Sequence, residues 1–223
     1  MLGVNLGISP VSVATVFEKV GISFAFAAAF HPGFRHAATT RAEIGIPTIF
    51  NILGPLCNPA RPLASAVGVA SLDRIPLITG VLQSRDASAL VIRGENGLDE
   101  LSTCGHSRIW EISRGQITEH DFDPRDVGID IATLDDIRGG TPEENAAIVT
   151  RTLAGERGPV RDIVSLNAAA GLVAFDLIDH PESMQTALVE RIEVKLHIVS
   201  EVIDSGAATA KRSAWVQATQ GLS

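Results

Sequence analysis

Asp99 and Glu100 stand side by side in GENGLDELS, Gly94 to Ser102, directly after the apolar run ALVIRG. Adjacent carboxylates in a glycine-bearing loop have two readings. They are solvated loop charges, or they are oxygen ligands for a hard cation. Mg²⁺ takes carboxylate oxygens, keeps several waters and shares its shell with substrate phosphates. Neighbouring side chains on an extended loop point different ways, so the pair would serve two ions or bridge one through water. Gly94 and Gly97 allow the backbone to bend tightly. Ligands of open α/β sheets bind beyond the carboxyl ends of the strands, which is where a loop after ALVIRG would lie. On these residues alone both readings stay open.

A second constellation is HPGFRHAATTR, with His31, Arg35, His36 and Arg41. An arginine at the mouth of a cleft is the usual partner of a planar carboxylate, through a two-pronged fork. On a helix, Arg35 and Arg41 point to different faces, so at most one faces a site. His31 and His36 miss the i, i+4 spacing that places two ligands on one helical face, which argues against zinc. A third is FNILGPLCNP, Phe50 to Pro59, whose glycine and proline breaks suit either a rigid pocket-lining loop or an ordinary connection. Asn145 and Asn167 lie in alanine-rich helical stretches, where packing or helix-end hydrogen bonding accounts for them. No GxGxxG, P-loop, HExxH or GxSxG pattern is present, so dinucleotide binding, P-loop phosphate transfer and serine hydrolysis lose support.

The elements that must position these residues fit a globular chain of 223 residues. Apolar residues make up 45% and aromatics 4%, with no Tyr, so small aliphatic side chains must build the core. The net charge of -8 disfavours nonspecific binding to nucleic acid or to an anionic membrane surface. Cys57 and Cys104 form no CxxC pair and read as reduced thiols. With no spanning apolar run and no basic, signal-like N-terminus, the expected location is cytoplasmic.

Ser9-Pro10 predicts a helix start, with Val13, Val16, Phe17 and Val20 at helical spacing and Gly21 ending it. ASAVGVA (64–70), SLDRIPLITGVLQS (71–84) and ASALVIRG (87–94) read as strand, helix and strand, the order of a parallel α/β sheet, with Ser71 as candidate cap of the helix. SRIWEIS and GQITEHDFD read as a meander joined near Arg114-Gly115. Helices are expected over 143–153, 159–177 and 181–204, with Gly206 capping the last and the final dozen or so residues as a fraying tail. Residues 1–45 read as part of a helical layer and 46–223 as the α/β domain.

Four segments in register then identify a resemblance. HPGFRHAATTRAEIGIPTIFNILGPLCNPARP, GENGLDELST, RGGTPEENAAI and GPVRDIVSLNAAAGLV resemble the anthranilate phosphoribosyltransferases, from about Gly3 to Gly206. The resemblance implies an α/β fold with a mostly parallel central sheet flanked by helices, and an incomplete small helical subdomain at the N-terminus, as in nucleoside phosphorylases. It implies transfer of phosphoribosyl from phosphoribosyl pyrophosphate to the amine of anthranilate, releasing pyrophosphate, in tryptophan biosynthesis. It places Mg²⁺ on Asp99 and Glu100, the anthranilate carboxylate on Arg41, and His31, Phe34 and Gly54 along the anthranilate pocket.

The pattern also departs from the family. Thr39, Thr40, Phe34, Pro47 and Cys57 replace residues more common there, and Ala28 and Ala29 are smaller than usual. Family members begin with a helical segment and a strand ending in G-T-G-G-D, followed by K-H-G-N and a Ser-rich stretch. None of these occurs here. The expectation is therefore a C-terminal part whose homodimer surface is incomplete and whose apolar residues Val13, Val16, Phe17 and Val20 lie exposed. The alternative is a non-catalytic remnant or interaction module of the same fold.

Overall fold

The computed structural model describes residues 1–34, 36, 40, 43–46, 48 and 50–222, with only the backbone described at 28 and 50–52. Helix α1 (Pro10–Val20) starts as the sequence predicts. Ser9 Oγ accepts from the Ser12 backbone N–H at 3.2 Å, and Pro10 occupies the first turn. Gly21 ends the helix in the left-handed conformation (φ 72°), with its N–H on the Phe17 carbonyl. Two short elements follow: α2 (Ala27–Phe30) and a 3₁₀ turn, Pro32–Phe34. Helix α3 (Phe50–Leu56) leads to the sheet.

The sheet has four strands in the order β1 (Ala64–Gly68), β2 (Ser88–Gly94), β3 (Ser107–Ser113) and β4 (Gln116–Phe122). Strands β1 and β2 are parallel, joined through helix α4 (Ile75–Ser84). The β2–β3 and β3–β4 pairs are antiparallel. The α/β class therefore holds, but among the described residues the sheet is mixed, and the mostly parallel expectation applies only to β1–β2. The β3–β4 hairpin turns on Arg114 (φ 47°) and Gly115 (φ 71°), the paired positive φ values of the commonest two-residue hairpin turn.

Strand β2 is buried on both faces, which explains its unbroken apolar run. Leu90 and Ile92 face one core with Ile109, Phe122, Leu166 and Ile192. Ala89 and Val91 face the other, with Val67, Ile78, Leu82 and Trp110. The first core is closed by helices α6 (Pro159–Asp176) and α7 (Leu188–Asp204), the second by α4. Before them, α5 (Pro142–Leu153) opens with a capping box between Thr141 and Glu144.

Four expectations are corrected. Ser71 makes no side-chain cap, because a 3₁₀ turn at Leu72–Arg74 precedes α4. The long helix over 181–204 is interrupted: Pro181–Gln185 is 3₁₀, Thr186 is extended, and α7 begins at Leu188. The tail does not fray but forms helix α8 (Ala207–Thr219). It is fixed by the start of the chain: Asn5 N–H donates to Thr219 Oγ1 at 3.1 Å, and Lys211 Nζ donates to the Val20 carbonyl at 2.8 Å. Of the four apolar residues expected to lie exposed on α1, Val16 is buried at 1%, Val13 and Val20 are half-buried, and Phe17 remains 57% exposed.

Candidate active site

The β2–β3 loop is held by its own backbone and by one helix. The Gly94 N–H donates to the Leu98 carbonyl at 2.9 Å, and the Glu95 N–H to the His106 carbonyl at 2.9 Å. Ser102 Oγ accepts from Asn96 Nδ2 at 3.1 Å and from the Cys104 N–H at 2.9 Å. The Ser102 N–H in turn donates to Ser107 Oγ at 2.9 Å. The Leu101 side chain is fully buried in the core shared with α6. Asp99 and Glu100 thus project from a loop whose neighbours on both sides are pinned.

The loop lies against the carboxyl end of β1. A Cβ built on Gly68 would stand 1.5 Å from the Asp99 carbonyl oxygen and 2.5 Å from its carbon, so only glycine permits this approach. Gly68→Ala is therefore expected to displace the loop and cost about 1–3 kcal/mol, the usual penalty of overpacking. Chemical denaturation measures it, and an unchanged midpoint would contradict the contact.

Asp99 is exposed and Glu100 half-buried. Burial pushes the Glu100 carboxyl above the usual carboxylate range, and the Asp99 charge beside it pushes the same way. Two hard oxygen donors that repel each other suit a divalent cation. Among the described residues no group of three or more His, Cys, Asp and Glu forms a metal cluster. A cation held here would draw its remaining ligands from water and from a bound anion, the habit of Mg²⁺.

The other predicted residues lie elsewhere in the chain. His31 follows α2 and stacks on Phe34, with ring centroids 4.8 Å apart and planes 17° apart. Gly54 sits inside α3, before Pro55, with open space where a Cβ would be. Arg41 lies outside the described residues, as do Arg35, Thr39 and Pro47. The structure thus brings together two pairs, Asp99 with Glu100 and His31 with Phe34. A cleft of about 1050 Å³ is lined by Leu56, Arg61, Arg85, Ser88, Ser113 and Arg114. It opens at the amino ends of β1 and β2, away from the carboxylates, so its size does not mark the site.

Sequence reasoning missed two residues that shape the loop. Gly68 read only as part of a strand. Asn167 read as a residue for packing or helix-end hydrogen bonding, yet its side-chain amide bonds both backbone groups of Leu101. The signal was there: a lone amide among Leu and Ala in a helix whose neighbouring positions are buried.

Residues 1–209 match the model of the glycosyl transferase family, α/β domain. The chain belongs to this family. Among its relatives, the anthranilate phosphoribosyltransferase of Leifsonia xyli subsp. xyli is 58% identical over 219 residues. That match covers 98% of this chain and 63% of the relative. The enzyme of the same name from Arthrobacter sp. is 51% identical, over 99% of this chain and 61% of the relative. Among solved structures, anthranilate phosphoribosyltransferase from Thermus thermophilus superposes with a TM-score of 0.83 at 37% identity, over 99% of this chain and 62% of that one. The Saccharomyces cerevisiae enzyme in complex with PRPP and Mg gives a TM-score of 0.85 at 25% identity, over 99% of this chain and 60% of that one. The chain thus spans a little over three fifths of the length of these relatives.

Proposed function

We propose that this chain carries the cation-organising half of an anthranilate phosphoribosyltransferase site, in which phosphoribosyl passes from phosphoribosyl pyrophosphate to the anthranilate amine. The observation that carries the reading is the Asp99–Glu100 pair on a pinned loop at the carboxyl end of β2, where burial first and then the neighbouring Asp99 charge raise the Glu100 carboxyl. A related enzyme has been solved with PRPP and Mg, and another form of it with 4-fluoroanthranilate. Mg²⁺ bound here would neutralise charge developing on the leaving diphosphate.

The chain's own residues do the rest. Asp99 and Glu100 offer carboxylate oxygens on the side where the diphosphate departs. Arg41 grips the anthranilate carboxylate with its planar fork. His31, stacked on Phe34, offers an aromatic wall for the ring, and in this reading Gly54 lines the same pocket. The amine is a competent nucleophile once held in line, so positioning carries the catalysis and no side chain is assigned as acid or base. In this reading residues 1–45 belong to a helical layer and 46–223 to the α/β domain, and the product feeds tryptophan synthesis in the cytoplasm. No helix among the described residues is long and apolar enough to cross a membrane.

The test is diphosphate release by the whole protein that carries this chain, with phosphoribosyl pyrophosphate, anthranilate and Mg²⁺. Release is expected only when all three are present, and release independent of anthranilate would overturn the reading. Arg41→Ala is expected to raise the KM for anthranilate by about tenfold to a hundredfold, the loss of one charge-assisted pair, with a smaller change in kcat. An unchanged KM would remove Arg41 from the site.

A further inference from the structure

The Asp99–Glu100 pair is a two-residue span between fixed points. On one side the Leu98 carbonyl accepts from the Gly94 N–H at 2.9 Å. On the other, Asn167 holds both backbone groups of Leu101: its Oδ1 accepts from the Leu101 N–H at 2.8 Å and its Nδ2 donates to the Leu101 carbonyl at 2.9 Å. The second Nδ2 hydrogen goes to the Ile163 carbonyl one turn back on α6, at 2.9 Å. That bond uses up the donors of the amide and fixes its rotamer. The helix beneath cannot drift, because Leu166, Ala169 and Ala170 are fully buried against the sheet. Asn is a poorer helix former than the alanines that follow it, so the position gives up local propensity for the clamp.

We infer that Asn167 is a positioning residue that sets the direction and spacing of the Asp99 and Glu100 carboxylates through the backbone of Leu101. It touches neither carboxylate. It acts as an outer support acts on a metal ligand, by removing the freedom of the chain that carries it. Without the amide, the Leu101 backbone loses both partners, and that side of the span is held only by the buried Leu101 side chain and the Ser102–Ser107 bond. The inference rests on reading the pair as a cation site.

The experiment is Mn²⁺ binding by the full 223-residue chain, followed by electron paramagnetic resonance, with circular dichroism confirming that each variant is folded at the temperature used. Asn167→Ala is expected to weaken Mn²⁺ binding by about tenfold or more, the usual effect of losing an outer support. Asn167→Asp keeps an acceptor for the Leu101 N–H but loses both donors, and is expected to fall between. It also serves if the alanine variant does not fold. Asn145→Ala is the control for a merely structural amide. Asn145 clamps the Gly140 backbone in the same two-point way, at 2.8 and 3.1 Å, on a different loop, and its loss is expected to leave Mn²⁺ affinity unchanged. Asp99→Asn separates the two levels of the argument. If it weakens Mn²⁺ binding while folded Asn167 variants bind as the parent does, the positioning role is overturned and the pair stands. If Asp99→Asn has no effect, the pair is not the cation site and the inference falls with it.

Discussion

Glu100→Gln is expected to reduce kcat/KM of the whole protein by about two orders of magnitude or more, because a Lewis-acid cation contributes several kcal/mol to stabilising a departing anion. Asp99→Asn is expected to act in the same direction. The pH dependence gives the sharper signature. Burial first, and then the Asp99 charge, raise the Glu100 carboxyl, so protons compete with the cation at a higher pH than for an ordinary carboxylate. Metal affinity of the parent protein therefore declines as pH falls through that raised value, and in Glu100→Gln this limb disappears.

The stability of the metal-free chain moves the other way. A carboxyl raised on folding contributes stability that is fully present below its unfolded pKa and lost as pH rises through the folded value. Above that folded value the ionised Glu100 is therefore a liability, and there Glu100→Gln is expected to raise the melting temperature of the metal-free chain. Added Mg²⁺ stabilises the parent and not the variant, because a ligand stabilises only the fold that binds it. A Gln variant with parental turnover and parental Mg²⁺ dependence would sink the assignment.

Arg191→Ala is expected to cost about 3–5 kcal/mol of stability, the usual result of leaving a buried charge without its partner. Arg191 on α7 grips Glu111 on β3 with two bonds, Nη1 to Oε1 at 2.6 Å and Nη2 to Oε2 at 2.8 Å. His120 on β4 adds a third contact, Nε2 to Oε2 at 3.0 Å. Glu111 is wholly buried, and Arg191 is one-tenth exposed. Burial alone would push the Glu111 carboxyl up. The bonds from His120 and Arg191 outweigh it, and the net direction is down. A carboxyl lowered on folding contributes stability above its unfolded pKa and loses it as pH falls through the folded value. The parent should therefore lose this contribution at acid pH, and the Arg191 variant should show a flatter acid limb in urea unfolding. A loss below about 1 kcal/mol, the level of an exposed surface pair, would show that water reaches the site and the charges are screened.

Much of the site was legible in the residues alone. The carboxylate pair, the buried strand before it and the glycines beside it lie close together in the chain, and local chemistry is what a sequence displays. The family motifs had the same advantage, since each is a contiguous run. The supports of the pair were not legible in that way. Gly68 and Asn167 act on the loop from a different strand and a different helix, 31 residues before Asp99 and 66 residues after Leu101. Either residue alone has an ordinary local explanation.

The same division runs through the fold. The Ser9-Pro10 helix start, the Gly21 stop, the β1–α4–β2 order and the Arg114-Gly115 hairpin are all readable from the chain's residues, because caps, periodicity and turn residues are short-range physics. The helix over residues 207–219 emerges only from long-range packing. Their apolar pattern is weak, and what orders them is the first twenty residues of the chain, packed across more than 190 positions of sequence. The mixed sheet likewise emerges only in the folded chain, since a buried strand reads the same whether its neighbour runs parallel or antiparallel. Glu111 shows the division within one strand: its place in SRIWEIS gives a β-strand, and the partners that make its burial tolerable arrive from β4 and from a helix 80 residues away.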